Sequence, residues 1–202
     1  MYDIKLDNID TVIFDFDETL VRSIESVCHV QHLVFGGELP DVKGCRKWNL
    51  EDVIPNITPR KVESLFATKD FFDILLPYND MVNAMKWFKS KDKRIVLLSL
   101  GSSMNLHYKS KYVRDNFGDI VDYHIYAGSD GSLSMDKGLF NFKALGYHAV
   151  MIDDNASNLD SMKKCVDYRI LAKLYTQDEC EWNKGWKGLE VSGGQQLINM
   201  FR

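Results

Sequence analysis

Short apolar runs and stretches of helical periodicity alternate along this chain. Thr11-Val12-Ile13-Phe14 is a β-rich apolar run that stops at Asp15-Phe16-Asp17. Arg94-Ile95-Val96-Leu97-Leu98-Ser99 is a second, and Ala149-Val150-Met151-Ile152 is a third that stops at Asp153-Asp154. Runs of this length and composition predict buried strands. Weaker strand patterns cover 123–126 and 168–174. Helical spacing appears between them: over 79–91, where Met81, Met85 and Phe88 share a face, over 104–116, over 139–145 and over 156–165. Strands alternating with helices predict an α/β fold with a mostly parallel sheet and helices on both faces. Sites in such sheets lie at the carboxyl ends of the strands. Asp15, Asp17, Ser99, Asp153 and Asp154 all fall there, so three strands bring five polar groups toward one crevice.

The stretch from Val21 to Leu76 breaks the alternation. It is too long for one crossover helix and carries its own helical patterns over 22–35, 59–68 and 69–75. Gly36, Gly37 and Pro40 punctuate it, as do Pro55 and Pro59. It reads as a small helical cap (21–76) inserted after the first strand of a core made of 1–20 and 77–202.

Composition adds bounds. The 202 residues are 45% hydrophobic and 27% charged, as expected of an ordinary globular chain. A net charge of -4 disfavours strong nucleic-acid binding. No apolar stretch is long enough to cross a membrane. Cys28, Cys45, Cys165 and Cys180 are scattered, with no C-x-x-C pair, so neither a zinc site nor a disulfide framework is suggested. The first ten residues carry charges where an export signal needs an apolar run. A cytoplasmic protein with free thiols is expected.

The candidate chemistry sits at the strand ends. Asp15 and Asp17 are two apart and repel one another unless a cation or shared proton intervenes. A hard divalent ion suits them, and Mg2+ suits them best where a phosphate also binds, with Asp153 and Asp154 adding oxygen ligands. A carboxylate can attack phosphorus, and a neighbouring carboxylic acid can protonate the leaving oxygen. Gly101-Ser102-Ser103 could offer backbone donors to phosphate at a helix start, or form a plain capped turn.

The D-x-D-x-T string 15–19, Ser99, a downstream lysine and the Asp153-Asp154 pair, in that order, resemble the four motifs of the haloacid-dehalogenase phosphatases. The resemblance implies a Rossmann-like core and an aspartyl-phosphate mechanism. Asp15 would be the nucleophile and a metal ligand. Asp17 would be the general acid/base, with its carbonyl on the metal. Thr19 would support the loop and Ser99 would bind the transferring phosphate. Asp153 would ligate Mg2+, with Asp154 ligating directly or through water. Two lysines have family-like spacing. Lys137 lies sixteen residues before Asp153, at the start of a predicted helix, and is favoured; Lys143, ten residues before, is the alternative.

Arg46-Lys47-Trp48-Asn49-Leu50, the string from Asp70 to Tyr78, and Ile152-Asp153-Asp154-Asn155-Ala156-Ser157-Asn158-Leu159 resemble the 5'(3')-deoxyribonucleotidases within that superfamily. That implies a nucleoside monophosphate substrate. Trp48, then Phe72, are the candidate stacking residues for a base; core packing is the competing role. The chain departs from that family at Glu18, Ser23 and Leu100. The string Asp17-Glu18-Thr19-Leu20 also resembles the protein-phosphatase branch, which usually lacks a large cap. Other readings are a phosphatase for another small metabolite, a polynucleotide end or a phosphoprotein, and, from a different class, a catalytically silent binding module. His29 and His32, three apart on a predicted helix, fit surface or core better than a site.

Overall fold

The computed structural model describes residues 4–128, 136–176 and 178–202. In chain order its elements are strand β1 (Thr11–Phe14), helices α1 (Ser23–Phe35), α2 (Pro59–Phe66), α3 (Lys69–Asp73) and α4 (Asn79–Ser90), then β2 (Arg94–Gly101) and α5 (Ser103–Phe117). β3 (Tyr123–Gly128), β4 (Ala149–Asp153), α6 (Ala156–Ser161), β5 (Tyr168–Ala172), β6 (Leu189–Val191) and α7 (Gly194–Asn199) complete them. The six strands form one parallel sheet in the order β3-β2-β1-β4-β5-β6. β1 and β4, the central pair, are buried at every residue. That is why both read as continuous apolar runs rather than alternating ones. The order turns back between them, so their carboxyl ends flank the topological switch point where such sheets bind ligands.

The predicted parallel α/β core with a helical insert after the first strand is the observed architecture. α1, α2 and α3 all lie between β1 and α4. The chain leaves and re-enters the core side by side: Arg22 N–H donates to the Leu76 carbonyl and Tyr78 N–H to that of Leu20, each at 2.8 Å. Thr58 and Thr68 cap α2 and α3 by accepting from Lys61 and Phe71 N–H, and Pro59 opens α2. Two helical expectations need correction. The stretch 139–145 is not a helix but two 3-10 turns, Lys137–Leu139 and Lys143–Leu145, the second ended by Gly146 at φ 84°. The helix expected over 156–165 ends at Ser161 and passes into a further 3-10 turn.

Candidate active site

Asp15 stands one residue beyond β1, its N–H bonded to the Ile152 carbonyl, so β4 fixes its backbone. Asp153 ends β4 and is fully buried; Asp154 follows and is buried too. Lys137, 1% exposed, reaches between them. Its ammonium donates to Asp15 Oδ1 and, at 2.6 Å, to Asp153 Oδ2. The other oxygen of Asp153 accepts from Asn155 N–H at 2.8 Å and from the Asn158 side chain at 3.2 Å. Asn155 also caps α6, so one helix start orients this carboxylate.

Burial pushes the Asp15 carboxyl up to about 7, against the pull of Lys137, with Asp153 and Asp17 adding to the rise. Burial also raises Asp154 well above the usual carboxylate range, reinforced by Asp153 and Asp15. For Lys137, burial works against the charge, but Asp15 and Asp153 outweigh it and hold the ammonium protonated. One lysine thus faces three buried carboxylates. Asp15, Asp153 and Asp154 each offer an oxygen within 4.8 Å of the others. An all-oxygen, excess-negative donor set fits a hard divalent cation such as Mg2+.

These groups floor a cavity of about 430 Å³. Asp15, Asp17, Lys137, Asp154, Asn155 and Asn158 line its base, Leu100, Gly101, Ser102 and Asn105 one side, and Trp48, Asn49, Pro59, Val62, Glu63 and Phe66 the side made by the insert. Trp48 lies nearly parallel to Phe66, with centroids 5.5 Å apart, and meets Trp182 edge-on at 5.8 Å. Asn105 donates to the Phe66 carbonyl at 2.7 Å, tying α5 to α2.

The expected residues divide clearly. Asp15, Asp17, Lys137, Asp154, Gly101, Ser102 and Trp48 meet at the cavity, with Asp153 directly beneath. Ser99 is fully buried inside β2, which runs on to Gly101; its hydroxyl lies 3.4 Å from His124 Nε2, and the wall at the strand end is Leu100 to Ser102 instead. Burial pushes the His124 imidazole down to about 3, so it is neutral. Thr19 is buried in the loop. Lys143 lies elsewhere, half-exposed and 3.2 Å from Asp167. Phe72 does not line the cavity: it is buried against Phe71, Tyr108 and Tyr112, packing α3 on α5. His29 bonds the Glu25 carbonyl within α1, away from the cavity.

Two charged residues at the site carry no sequence motif, Glu63 of α2 and Lys109 of α5. Lys109 of α5 is fully buried and donates to Asp17 Oδ2 at 2.6 Å. Its signal was present: it interrupts the apolar face formed by Leu106, Tyr112 and Val113.

No protein-family model matches the chain, and no curated protein matches it significantly. Solved structures do. A candidate phosphoglycolate phosphatase from Lactobacillus delbrueckii aligns over 93% of this chain and 96% of its own, with a TM-score of 0.65 at 13% identity. A CbbY variant from Rhodobacter sphaeroides in complex with xylulose 1,5-bisphosphate aligns over 94% and 96%, with a TM-score of 0.59 at 15% identity. A haloacid-dehalogenase-superfamily hydrolase from Ehrlichia chaffeensis aligns over 95% of each chain, with a TM-score of 0.54 at 16% identity. The chain has the haloacid-dehalogenase fold. At these identities the similarity speaks for the fold alone. No helix among the described residues is long and apolar enough to cross a membrane.

Proposed function

We propose that this protein is a Mg2+-dependent phosphomonoester hydrolase working through an aspartyl-phosphate on Asp15. The observation that carries the reading is the buried Asp15–Lys137–Asp153 array, with Asp154 alongside, flooring a cavity at the sheet's switch point. Bound Mg2+, held by Asp15, Asp153, Asp154 and the Asp17 carbonyl, would supply Lewis-acid neutralisation of phosphoryl charge. Lys137 adds positive charge to the same phosphate, and the backbone of Gly101 and Ser102 borders it. The Asp15 carboxylate attacks phosphorus as the bond to the leaving oxygen breaks. Asp17, as the acid, gives its proton to that oxygen. As a carboxylate it then takes a proton from water, whose oxygen bonds phosphorus while the bond to Asp15 breaks.

The cavity also bears on the leaving group. Lys137, in the floor, is the only cation among the described lining residues, and the side formed by the insert carries Glu63. A second phosphate, such as the one the CbbY ligand carries, would find no second cation among the described lining residues. The substrate is therefore a monophosphate of a neutral alcohol. A nucleoside fits the Trp48 wall by its flat face and Asn49 by its polar edge. A sugar would instead lean on the asparagines, and this is the competing reading.

Phosphate release from deoxynucleoside and nucleoside monophosphates, sugar monophosphates and sugar bisphosphates, in Mg2+, tests both levels. Release is expected from monophosphates, nucleotides foremost, and not from bisphosphates. No release from any ester refutes the enzyme; equal rates on all small esters refute the nucleotide preference. Asp15→Asn should reduce turnover by at least ~10^4-fold while keeping the fold, since nothing replaces the nucleophile.

A further inference from the structure

Asp17 is gripped at both carboxylate oxygens. Ser23, the first residue of α1, donates its hydroxyl to Oδ1 at 2.7 Å. Lys109 donates its ammonium to Oδ2 at 2.6 Å. The same ammonium lies 3.3 Å from the Leu100 carbonyl and 5.0 Å from the centroid of the Phe16 ring. Asp17 lines the cavity with 18% of its side chain exposed, whereas the Lys109 side chain is wholly buried and does not line it. Lys109 therefore meets Asp17 from behind and cannot meet a substrate.

A buried ion pair is a poor stabiliser beside apolar residues of equal volume, because both charges lose their hydration. On a buried helix face that is apolar apart from Asn105, a methionine would serve the core as well. The lysine makes sense through what it holds. An acid that must reach a leaving oxygen gains from a fixed carboxylate plane, and a misplacement of about 1 Å can cost ~10^2-fold.

We infer that Lys109 is a positioning residue that sets the orientation of the Asp17 carboxylate toward the leaving-group oxygen. This rests on the phosphatase reading above. Asp17 serves two steps, but kcat/KM reports only the first, in which the departing alkoxide is protonated. Loss of Lys109 should therefore be felt in proportion to how much the leaving group needs a proton. A purely structural lysine, or one that binds phosphate, would affect all esters alike.

The test compares kcat/KM for glycerol 2-phosphate, an alkoxide leaving group, with p-nitrophenyl phosphate, whose leaving group needs little protonation. Both are measured in Mg2+. Lys109→Met is expected to lower the first by about 10^2-fold and the second by less than about 5-fold. Equal losses, or none, overturn the inference. Should Lys109→Met fail to fold, Asp17→Asn/Lys109→Met removes both charges together and is compared with Asp17→Asn. Equal kcat/KM in the two supports the inference, since Lys109 then has no acid to orient; a further drop in the double variant overturns it. Wild-type release from p-nitrophenyl phosphate separates the two levels. If the wild type releases phosphate neither from it nor from any other ester, the phosphatase reading falls and this falls with it; if it does release it, unselective losses remove only the role of Lys109.

Discussion

The floor of the cavity packs Asp15, Asp153 and Asp154 around one ammonium, while the facing wall from the insert is Trp48, Pro59, Val62 and Phe66 with Asn49 and Glu63 among them. Asp15 and Asp153 are both held by Lys137, and Asp153 also by Asn155 and Asn158, so their geometry is over-determined. The wall is held by ring packing, Trp48 on Phe66 and against Trp182, and offers a surface rather than a pattern of bonds. Low dielectric makes the floor's interactions strong and its errors costly. An apolar wall discriminates weakly, by ~1–3 kcal/mol per group fitted or missing. Under the proposed function, chemistry is thus set by the core, and choice of alcohol is left to a surface that tolerates change.

Breaking the floor should show this most sharply. Lys137→Ala leaves Asp15 and Asp153 facing each other buried, at a cost of about 3–5 kcal/mol in the absence of Mg2+. Its turnover should fall by ~10^2–10^3-fold, as for loss of one preorganised charge. Lys143→Ala, on a half-exposed lysine, should leave turnover unchanged and stability within about 0.5 kcal/mol. Urea denaturation and initial rates on both variants decide it; comparable losses in the two would mean that the floor is not the interlocked unit described.

Breaking the wall should do less. Trp48→Ala is expected to raise KM about 10-fold for nucleoside monophosphates and to change kcat/KM for glycerol 2-phosphate little, because only the larger alcohol reaches the ring. A matched loss on both esters would assign Trp48 to packing, through Phe66 and Trp182, and would remove the wall from recognition.

The same contrast governs what could be read from sequence. Asp15 and Asp153-Asp154 were legible because buried central strands are continuous apolar runs, and the carboxylates mark where burial stops. The insert was legible as an interruption of that rhythm. Lys137 was favoured over Lys143 for its place at a predicted helix start, but that helix does not form; two 3-10 turns replace it and bury only the first lysine. β6 is three residues long and carries too little pattern to announce itself. Phe72 read as a wall residue because an aromatic pair has no sign of its facing, which α5 decides by packing Tyr108 and Tyr112 on it. Asn49, Glu63 and Asn105 come from separate segments and meet only in three dimensions. Lys109 was readable as a charge on an apolar helix face, a pattern that only burial explains.

A further effect, on stability alone, should come from behind the floor. Glu18 adopts φ 50°, in the left-handed region, and its buried carboxyl accepts from Ile24 N–H and from the Tyr78 hydroxyl, each at 2.7 Å. It thus joins the two chain segments that enter and leave the insert. Burial pushes it up to about 7, outweighing those two hydrogen bonds, with Asp17 and Glu25 adding to the rise. Like Asp15 it is raised by burial, yet no ammonium lies among its hydrogen-bond partners. A carboxyl raised from 4.5 on folding favours the folded state fully below pH 4.5, and that contribution is lost as pH rises through about 7. Glu18→Gln keeps an oxygen to accept from Ile24 N–H, offers its amide N–H to the oxygen of the Tyr78 hydroxyl, and does not titrate. Without Mg2+, wild type and variant should be equally stable near pH 4, and the variant should gain ~1–3 kcal/mol on the wild type by pH 8. Urea midpoints across that range measure it. A wild type that gains on the variant as pH rises would mean that Glu18 is charged in the fold, and that the linkers, like the floor, are held by charge.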